Sequence, residues 1–296
     1  PQSWELSTVG GWIASRSSGQ QSLRYGRIEQ MFAGGSIETL AGTLEIPTIP
    51  ASSAGPSVSE MILGSEGRMG IITEAKVRVK PLPEHESFHV VFFPSWKNGL
   101  VCVQQLAQRG IQLSMLRLSN ALETTSLLIM GGHPLEELDK MLAGNDIAEG
   151  KVMMTFGLTG NLDQCEAAKQ FTQKCYQEFG GIDGGSELGE RWEHGRFRAP
   201  YLREPLGNAG YVVDTMETCL DWGKVSDAVD SIEQAIGGAL ADENEPVYVY
   251  THLSHVYSQG SSVYTTYLYR CCDSHDETHK RWLKLKTAGA KQIVAL

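Results

Sequence analysis

The sequence predicts an α+β fold made of two unlike parts, and three observations support this. Residues 1–83 are rich in glycine, serine and short apolar stretches, a composition typical of turns and strands. From about Glu84 onward, apolar runs typical of strands alternate with amphipathic segments of helical period. The prolines of Pro81–Pro83 end one strand and mark a boundary. We therefore expect domains at residues 1–86 and 87–296.

Composition and charge exclude several classes of protein. The 296 residues are 41% hydrophobic and 20% charged, which is ordinary for a globular chain with room for two domains. The net charge of −10 argues against a nucleic-acid partner, because phosphate binding needs clustered Lys and Arg. We find no apolar run of roughly 18–20 residues and no signal-peptide pattern at the start. We therefore expect no transmembrane segment and no secretion signal.

The cysteines favour a reducing compartment. No two of them have C-x-x-C spacing, and the neighbours Cys271 and Cys272 could bridge only with strain. Reduced thiols and a cytoplasmic location follow. His275 and His279 are four apart in a predicted helix, but the acidic residues around them indicate a solvated helix start. We therefore expect no metal site.

The first part contains one extended loop, one short helix and one strand. The prolines of Pro47–Pro56 exclude both helix and central strand, so this segment crosses a surface or a ligand. Residues 57–63 are predicted to form a helix, with Ser57 as N-cap and Glu60 as its capping-box partner. Apolar and polar residues alternate from Ala75 to Lys80, which predicts a half-buried strand.

The second part repeats units of strand, helix and strand. Strands are predicted at residues 89–93, 113–118, 152–158, 211–216, 246–253 and 263–270. Helices are predicted at residues 96–109, 162–179, 225–240 and 274–290. The recurrence suggests a duplicated layer, one antiparallel sheet covered by helices.

Glycine motifs in the first part suit a flavin cofactor, because glycines let backbone N–H groups approach a pyrophosphate closely. A single Gly pair is more often a turn, so the ordered set is what carries the signal. The set is Thr8-Val9-Gly10-Gly11-Trp12-Ile13, Arg16-x-x-Gly19, Tyr25-Gly26-x-Ile28-Glu29 and Gly64-Ser65-Glu66-Gly67-x-x-Gly70-Ile71-Ile72-Thr73-Glu74-Ala75. It resembles FAD-linked oxidases of the vanillyl-alcohol-oxidase type, and within them the alkyldihydroxyacetonephosphate synthases and their bacterial relatives.

The resemblance implies FAD as cofactor and a specific architecture. Residues 1–86 would be the second half of a VAO/PCMH-type FAD-binding domain, and residues 87–296 an antiparallel-sheet cap domain covered by helices. The residues implied in cofactor binding are Ser7, Thr8, Gly10, Gly11, Ser17, Ser18, Gly19, Glu66, Gly67, Gly70, Ile71 and Ile72. Glu66 is expected near the ribose or pyrophosphate, with a solvated turn residue as the alternative.

The same resemblance implies two further segments, a glycine-rich loop upstream and a histidine cluster downstream. Both would lie beyond the ends of this sequence, so we expect a chain truncated at both termini. Such a chain would bind FAD weakly, and its uncovered apolar surface would favour self-association, for example as a homodimer.

Two arginine segments of the second part are candidates for binding a small anionic substrate. The predicted strand Leu113–Leu118 carries Arg117, which resembles the synthase arginine that meets the substrate's anionic group. A guanidinium suits a carboxylate or phosphate, and a buried one needs a partner. The alternative is a strand arginine whose head reaches water. The stretch of residues 196–203 contains Arg198 and Tyr201, which the resemblance places beside the substrate cavity, with a solvated basic helix face as the alternative.

A histidine and a tyrosine are candidates for acid–base catalysis. His252 and His255 would face opposite sides of one strand, because side chains alternate, and we select His252 as acid, base or orienter. A core or surface histidine is the alternative. Tyr264 should face away from Tyr267 and Tyr269, and it lies at the position of the synthase's active-site tyrosine. Packing is the alternative role for Tyr264.

The activity implied for the intact protein is oxidation of an alcohol or hydroxy acid by hydride transfer to flavin N5. An alternative is the ether-forming reaction of alkylglycerone-phosphate synthase, in which a fatty alcohol replaces an acyl chain without net redox change. A third alternative is that the chain is not an enzyme. It would then be a catalytically inert fragment that acts as a binding or assembly module.

Overall fold

The computed structural model describes residues 1–132, 135–144, 147 and 150–296, and two antiparallel sheets organise these residues. The strands are β1 (Phe32–Thr39), β2 (Gly42–Ile46), β3 (Ile71–Val77), β4 (His85–Phe93), β5 (Met115–Ser119), β6 (Val152–Gly160), β7 (Ile182–Asp183), β8 (Tyr211–Asp221), β9 (Tyr248–Val256) and β10 (Gly260–Arg270). The helices are α1 (Val9–Ala14), α2 (Ser22–Tyr25), α3 (Ile28–Met31), α4 (Val58–Ile62), α5 (Trp96–Gln108), α6 (Ala121–Met130), α7 (Leu135–Ala143), α8 (Leu162–Glu178), α9 (Ser186–Gly195), α10 (Arg203–Asn208), α11 (Trp222–Gly237) and α12 (His275–Ala295).

The first part of the chain builds the smaller sheet, in the order β2-β1-β3. Apolar side chains from α1, β1 and α4 meet in one core, in which Ile13, Ile37 and Ile62 are almost completely buried. The strand β3 pairs with β1 from Ile71 to Val77. The strand therefore begins and ends earlier than the alternation from Ala75 to Lys80 predicted.

Two local expectations for the first part are wrong. The glycine cluster at residues 8–14 forms the helix α1 instead of a turn or strand, because the Thr8 hydroxyl accepts a hydrogen bond from the Gly11 N–H at 3.0 Å. The helix α4 begins where expected, but the Ser57 side chain makes no capping hydrogen bond. Glu60 pairs with Arg16 at 2.7 Å instead, so the capping box is absent.

The larger sheet follows the duplication that the sequence suggested. Its order in the described residues is β7-β4-β6-β5-β9-β10-β8, with antiparallel neighbours throughout. The strands β4, β5 and β6 and the strands β8, β9 and β10 form two similar units that join at the β5–β9 pair. The helices α5, α8, α11 and α12 contribute to the core on one face of the sheet. The helices α6 and α9 meet the other face, which makes the fold α+β.

The helices and strands predicted after residue 88 are all present, with ends shifted by a few residues. The domain limits at residues 86 and 87 stay a prediction. Among the described residues, no helix combines the length and the apolar character that crossing a lipid bilayer requires.

The close contact between β8 and β10 gives a test of the sheet. A Cβ added to Gly260 would lie 2.0 Å from the carbonyl oxygen of Leu220. Because a backbone atom cannot easily shift, we expect Gly260→Ala to lower the free energy of unfolding by about 1–3 kcal/mol. Gly223→Ala, in α11, is the control, since nothing lies within 4 Å of its added Cβ. Urea unfolding followed by circular dichroism measures both, and equal losses would contradict this strand register.

Candidate active site

A buried ion pair lies on the face of the large sheet that α6 meets. The Nη2 of Arg117, in β5, donates to Oε1 of Glu123, in α6, at 2.7 Å, and both side chains are at least nine-tenths buried. Asn120 caps α6 by accepting from the Glu123 N–H at 2.9 Å, which fixes the first turn of the helix beside the strand. The expectation that a buried Arg117 needs a partner is confirmed, and its alternative, a guanidinium in water, is wrong.

The pairing of β5 with β9 brings His252 to the same carboxylate. Ser119 lies directly opposite His252, and His252 Nδ1 is 2.9 Å from Glu123 Oε1 and 3.0 Å from Arg117 Nη2. Nδ1 faces both Glu123 Oε1, which only accepts, and Arg117 Nη2, which only donates. Because Arg117 Nη2 already donates to Oε1 at 2.7 Å, we assign the Nδ1 proton to the contact with Glu123. The Nε2 atom of the neutral ring then carries a lone pair.

The charges within this cluster oppose one another. Burial by itself favours the neutral Glu123, but the Arg117 charge and His252 outweigh burial and lower the pKa of Glu123 to about 2. Burial, followed by the repulsion from Arg117, lowers the pKa of His252 below its usual value, although Glu123 opposes this shift. At neutral pH the cluster therefore holds an ionised Glu123 and a neutral, oriented His252.

Tyr264 completes the cluster from β10. It lies opposite His252 in the β9–β10 pair, and the two rings stack with centroids 4.8 Å apart. Burial raises the pKa of Tyr264, so its phenol stays protonated. Tyr267 and Tyr269 belong to the core under the helices, on the other face, as the alternation predicted. The structure thus brings together Arg117, His252 and Tyr264, which the sequence selected separately.

His255 also faces this cluster, which corrects the expectation that the two histidines point to opposite faces. Ser261 pairs with Val256 and Ser262 pairs with Ser254, so His255 is an extra residue in a β-bulge, with φ of +47°. Its Nε2 lies 4.0 Å from Glu217, the residue directly opposite Tyr264 in the next strand. The bulge therefore turns His255 toward the face that carries Tyr264 and His252.

The segments expected to bind the cofactor lie together. A Cβ on Gly10 would be 3.5 Å from the Cβ of Ile72, and the Gly64 N–H donates to the carbonyl of Ile13 at 3.1 Å. Ile71 is 71% exposed and Val9 39% exposed, so an apolar strip lies open beside the glycines. An open, glycine-lined surface with uncovered apolar side chains fits a flat cofactor.

The solvent exposure of the predicted cofactor-binding residues is consistent with an open surface. The exposed ones are Ser7, Thr8, Gly11, Glu66, Gly67 and Ile71, and the half-buried ones are Gly10, Ser17, Ser18, Gly19, Gly70 and Ile72. Gly70 has φ of +141°, and its added Cβ would lie 2.4 Å from the Glu38 carbonyl oxygen. The backbone therefore requires this glycine whether or not a cofactor contacts it.

Contacts at His255 join the glycine-lined surface to the face of the sheet that carries Arg117, His252 and Tyr264. The Ser18 hydroxyl lies 3.3 Å from Nδ1 of His255, and Ser22, at the start of α2, lies 3.4 Å from the same atom. Residues 18–22 therefore cover the sheet beside His255. The two sets of residues that the sequence indicated are neighbours in space.

The segment after α9 differs from the expectation. Arg198 is exposed and Tyr201 donates to Glu5 at 2.6 Å, and neither contacts the cluster among the described residues. Arg196 instead lies 5.1 Å from the ring of Phe88, a strand residue of the large sheet, and 3.8 Å from a carboxylate oxygen of Glu86.

Sequence reasoning did not single out Glu123 or Glu217, and it named Arg196 only as part of the arginine-rich segment of residues 196–203. Glu123 had one usable signal, a carboxylate in the first turn of a helix that follows the Arg117 strand directly. The contacts of Glu217 and Arg196 depend on strand pairing and helix packing, for which the sequence carries no local signal.

Metal and disulfide chemistry can be described for the same residues. All six cysteines are free thiols, and Cys102 and Cys175 lie 3.7 Å apart in the core. Within the described ranges, no group of three or more His, Cys, Asp or Glu side chains is placed to hold a metal ion.

The family follows from comparison with known proteins. Residues 82–295 match the family "FAD linked oxidases, C-terminal domain", so the chain belongs to this family, whose members bind FAD. The chain is 30% identical to the alkyldihydroxyacetonephosphate synthase of Dictyostelium discoideum, over 89% of this chain and 45% of the relative. It is 26% identical to the FAD-linked oxidoreductase YgcU of Escherichia coli K12, over 94% of this chain and 55% of the relative. The chain thus spans about half the length of these relatives.

Solved structures show the same fold. An alkyldihydroxyacetonephosphate synthase superposes with a TM-score of 0.85 at 24% identity, covering 100% of this chain and 54% of that one. p-Cresol methylhydroxylase superposes with a TM-score of 0.65 at 11% identity, covering 96% and 59%. The architecture is therefore the second half of a VAO/PCMH-type FAD-binding domain followed by the antiparallel cap, as the motifs implied.

The environment of His255 predicts a pH dependence of stability. Burial, and then the charges of His252 and Arg27, lower the pKa of His255 from 6.5 to about 4. As the pH falls, the unfolded chain binds a proton at His255 before the folded chain does. The stability that the neutral His255 ring contributes is therefore fully present above pH 6.5 and is lost as the pH falls toward about 4. Over this pH range, we expect the free energy of unfolding of His255→Asn to fall by about 2–3 kcal/mol less than that of the wild type. Asparagine is chosen because it tolerates the positive φ.

Urea unfolding between pH 4 and pH 7.5 measures this effect. His275→Asn, at an exposed position, is the matched control. Its free energy of unfolding should change with pH as that of the wild type does. A slope that is unchanged in His255→Asn would contradict the burial of this ring.

Proposed function

We propose that the intact protein is an FAD-dependent oxidoreductase that removes a hydride from an alcohol or a hydroxy acid, with Arg117, His252 and Tyr264 as catalytic residues. One observation carries the proposal: burial and the Arg117 charge keep His252 neutral, and the Glu123 carboxylate orients its Nδ1 proton, which leaves Nε2 free to accept a hydroxyl proton.

Each member of the cluster has a defined task in this reaction. When bound, FAD supplies an acceptor for the hydride of the substrate carbon. His252 takes the hydroxyl proton at Nε2, and the Glu123 carboxylate stabilises the imidazolium that forms. The protonated phenol of Tyr264 donates a hydrogen bond to the substrate oxygen. The Arg117 charge stabilises negative charge that develops there, so that the alcohol leaves as a carbonyl compound.

We propose the same assignments for cofactor and substrate that the motifs implied. The surface that contains Gly10, Gly11 and Ile71 would hold FAD, together with residues 17–19 and 64–72. Their support is the open, glycine-lined geometry and the Ser18–His255 contact. Arg117 would meet an anionic group of the substrate. The substrate-binding roles of Arg198 and Tyr201, which do not contact the cluster among the described residues, stay predictions. A cytoplasmic location and a homodimer stay predictions.

A second candidate is the ether-forming exchange on an acyl dihydroxyacetone phosphate, without net redox change. One finding favours it: the similarity to alkyldihydroxyacetonephosphate synthases extends over 89% of this chain, and the fold agreement reaches a TM-score of 0.85. The same cluster could then activate the fatty alcohol at His252 and bind the phosphate at Arg117. An assembly module without catalysis is the remaining alternative.

Flavin reduction separates these candidates. We expect purified intact protein to be yellow and to bleach when a 2-hydroxy acid or an alcohol is added without oxygen. No bleaching with a broad panel, together with alcohol exchange on an acyl dihydroxyacetone phosphate, would replace the oxidation proposal by the exchange reaction. Protein without flavin after denaturation would support the assembly module.

Two substitutions test the cluster in the active protein. We expect His252→Asn to lower kcat by about 10²–10⁴-fold, because the proton acceptor is lost. Tyr264→Phe should lower kcat by about 10–100-fold, the value of one hydrogen bond to developing charge. Tyr269→Phe is the matched control, since its hydroxyl is buried on the opposite face of the same strand without a partner among the described residues. Equal kcat values in all three variants would contradict the assignment.

A further inference from the structure

A cavity of about 510 Å³ lies at the end of the large sheet, away from the catalytic cluster. Its lining comes from α2, the ends of α5 and α8, and the turn between β9 and β10. Leu116 lines the cavity, whereas the next residue, Arg117, belongs to the cluster. Because neighbouring strand residues point to opposite faces, the cavity lies on the face of the sheet that α5 and α8 cover. Nothing in the proposed reaction uses this cavity.

Aliphatic and polar residues share the walls of the cavity. The aliphatic part is formed by Leu23, Leu106, Ala107, Ile111, Leu113 and Val256, and Gln112, Thr159 and Gln164 are among the polar residues. Leu106 and Leu113 are almost completely buried, so the inner wall belongs to the core of the sheet. Such a surface favours a ligand with an aliphatic chain, since apolar area is removed from water on binding.

Two cationic side chains, Arg24 and Lys80, lie in the same lining. The Lys80 ammonium donates to the carbonyl oxygen of Arg24 at 2.5 Å, which keeps the two residues together. The Nε of Arg24 is buried and has no hydrogen-bond partner among the described residues. In that part of the chain neither side chain forms an ion pair within 4.0 Å, although the protein carries a net charge of −10.

The carboxylate of Glu84, which acts on the cavity residue Cys165 together with Arg24, is engaged elsewhere. Glu84 accepts hydrogen bonds from Asn161 Nδ2 at 3.0 Å and from the Leu162 N–H at 3.4 Å, at the start of α8. A buried guanidinium N–H without an acceptor is costly, and an anionic ligand would supply the missing acceptor. The cavity therefore combines an unsatisfied cationic end with an aliphatic interior.

We propose that this cavity binds an amphipathic anion. A carboxylate or phosphate head would meet Arg24 and Lys80, and a short aliphatic chain would lie along Leu106, Ile111 and Leu113. The proposal is independent of the reaction at Arg117 and His252, so either can fail without the other.

Calorimetric titration of the intact protein with sodium octanoate tests the proposal. We expect Arg24→Gln/Lys80→Gln to weaken octanoate binding at least about tenfold, the loss of one charge-assisted contact. Lys97→Gln/Lys174→Gln is the matched control, because it removes the same charge from exposed positions outside the cavity and should leave the affinity unchanged.

Two further ligands test separately what the anionic head and the aliphatic chain contribute to binding. Inorganic phosphate and 1-octanol should each bind more weakly than octanoate, since each supplies one half of the interaction. In methyl spectra, octanoate should shift the Ile111 and Leu113 signals of the wild type. The proposal is overturned if octanoate does not bind, if the Arg24→Gln/Lys80→Gln variant binds it as tightly as the wild type, or if either probe alone matches octanoate.

Discussion

The buried ion pair between Arg117 and Glu123 is the constraint on which the candidate site depends. Two charges removed from water are tolerated only when each finds a partner with good geometry. Here the arginine comes from a central strand, the carboxylate from the helix that follows it, and the histidine that shares the carboxylate from the next strand of the sheet. The pair therefore fixes the relative position of three elements. Burial and the Arg117 charge keep His252 neutral, and Glu123 orients its Nδ1 proton, which are the chemical properties that the proposed reaction needs.

The link between the two parts of the chain depends on a second local feature, the β-bulge at His255. An unbroken strand would direct this side chain into the helix-covered core. The extra residue turns it toward Ser18 and Ser22, which belong to the part of the chain that carries the glycine motifs. Residues expected to hold the cofactor thus lie beside residues expected to act on the substrate. Neither sheet alone would provide this arrangement.

Alternation along strands made much of the site predictable. It predicted that Tyr264 lies on the other face of its strand from Tyr267 and Tyr269. It also indicated that Arg117 is a buried charge that needs a partner. The identity of that partner depends on pairing over long sequence distances, which periodicity does not reveal. The bulge at His255 contains no glycine that would indicate it in the sequence. The capping box at Ser57 is absent, and Glu60 pairs with Arg16, which is distant in sequence. The glycine motifs gave the family, because their order and spacing carry more information than any one of them.

A double-mutant cycle on the central ion pair tests this account most directly. Arg117→Met and Glu123→Leu should each lower the free energy of unfolding by about 3–5 kcal/mol, since each leaves a buried charge without its partner. The double variant should lose less than either single variant. The exposed pair of Arg191 and Glu187 is the control, with a coupling energy below about 1 kcal/mol. Single losses that are small and simply add in the double variant would show that the Arg117–Glu123 pair does not organise the site.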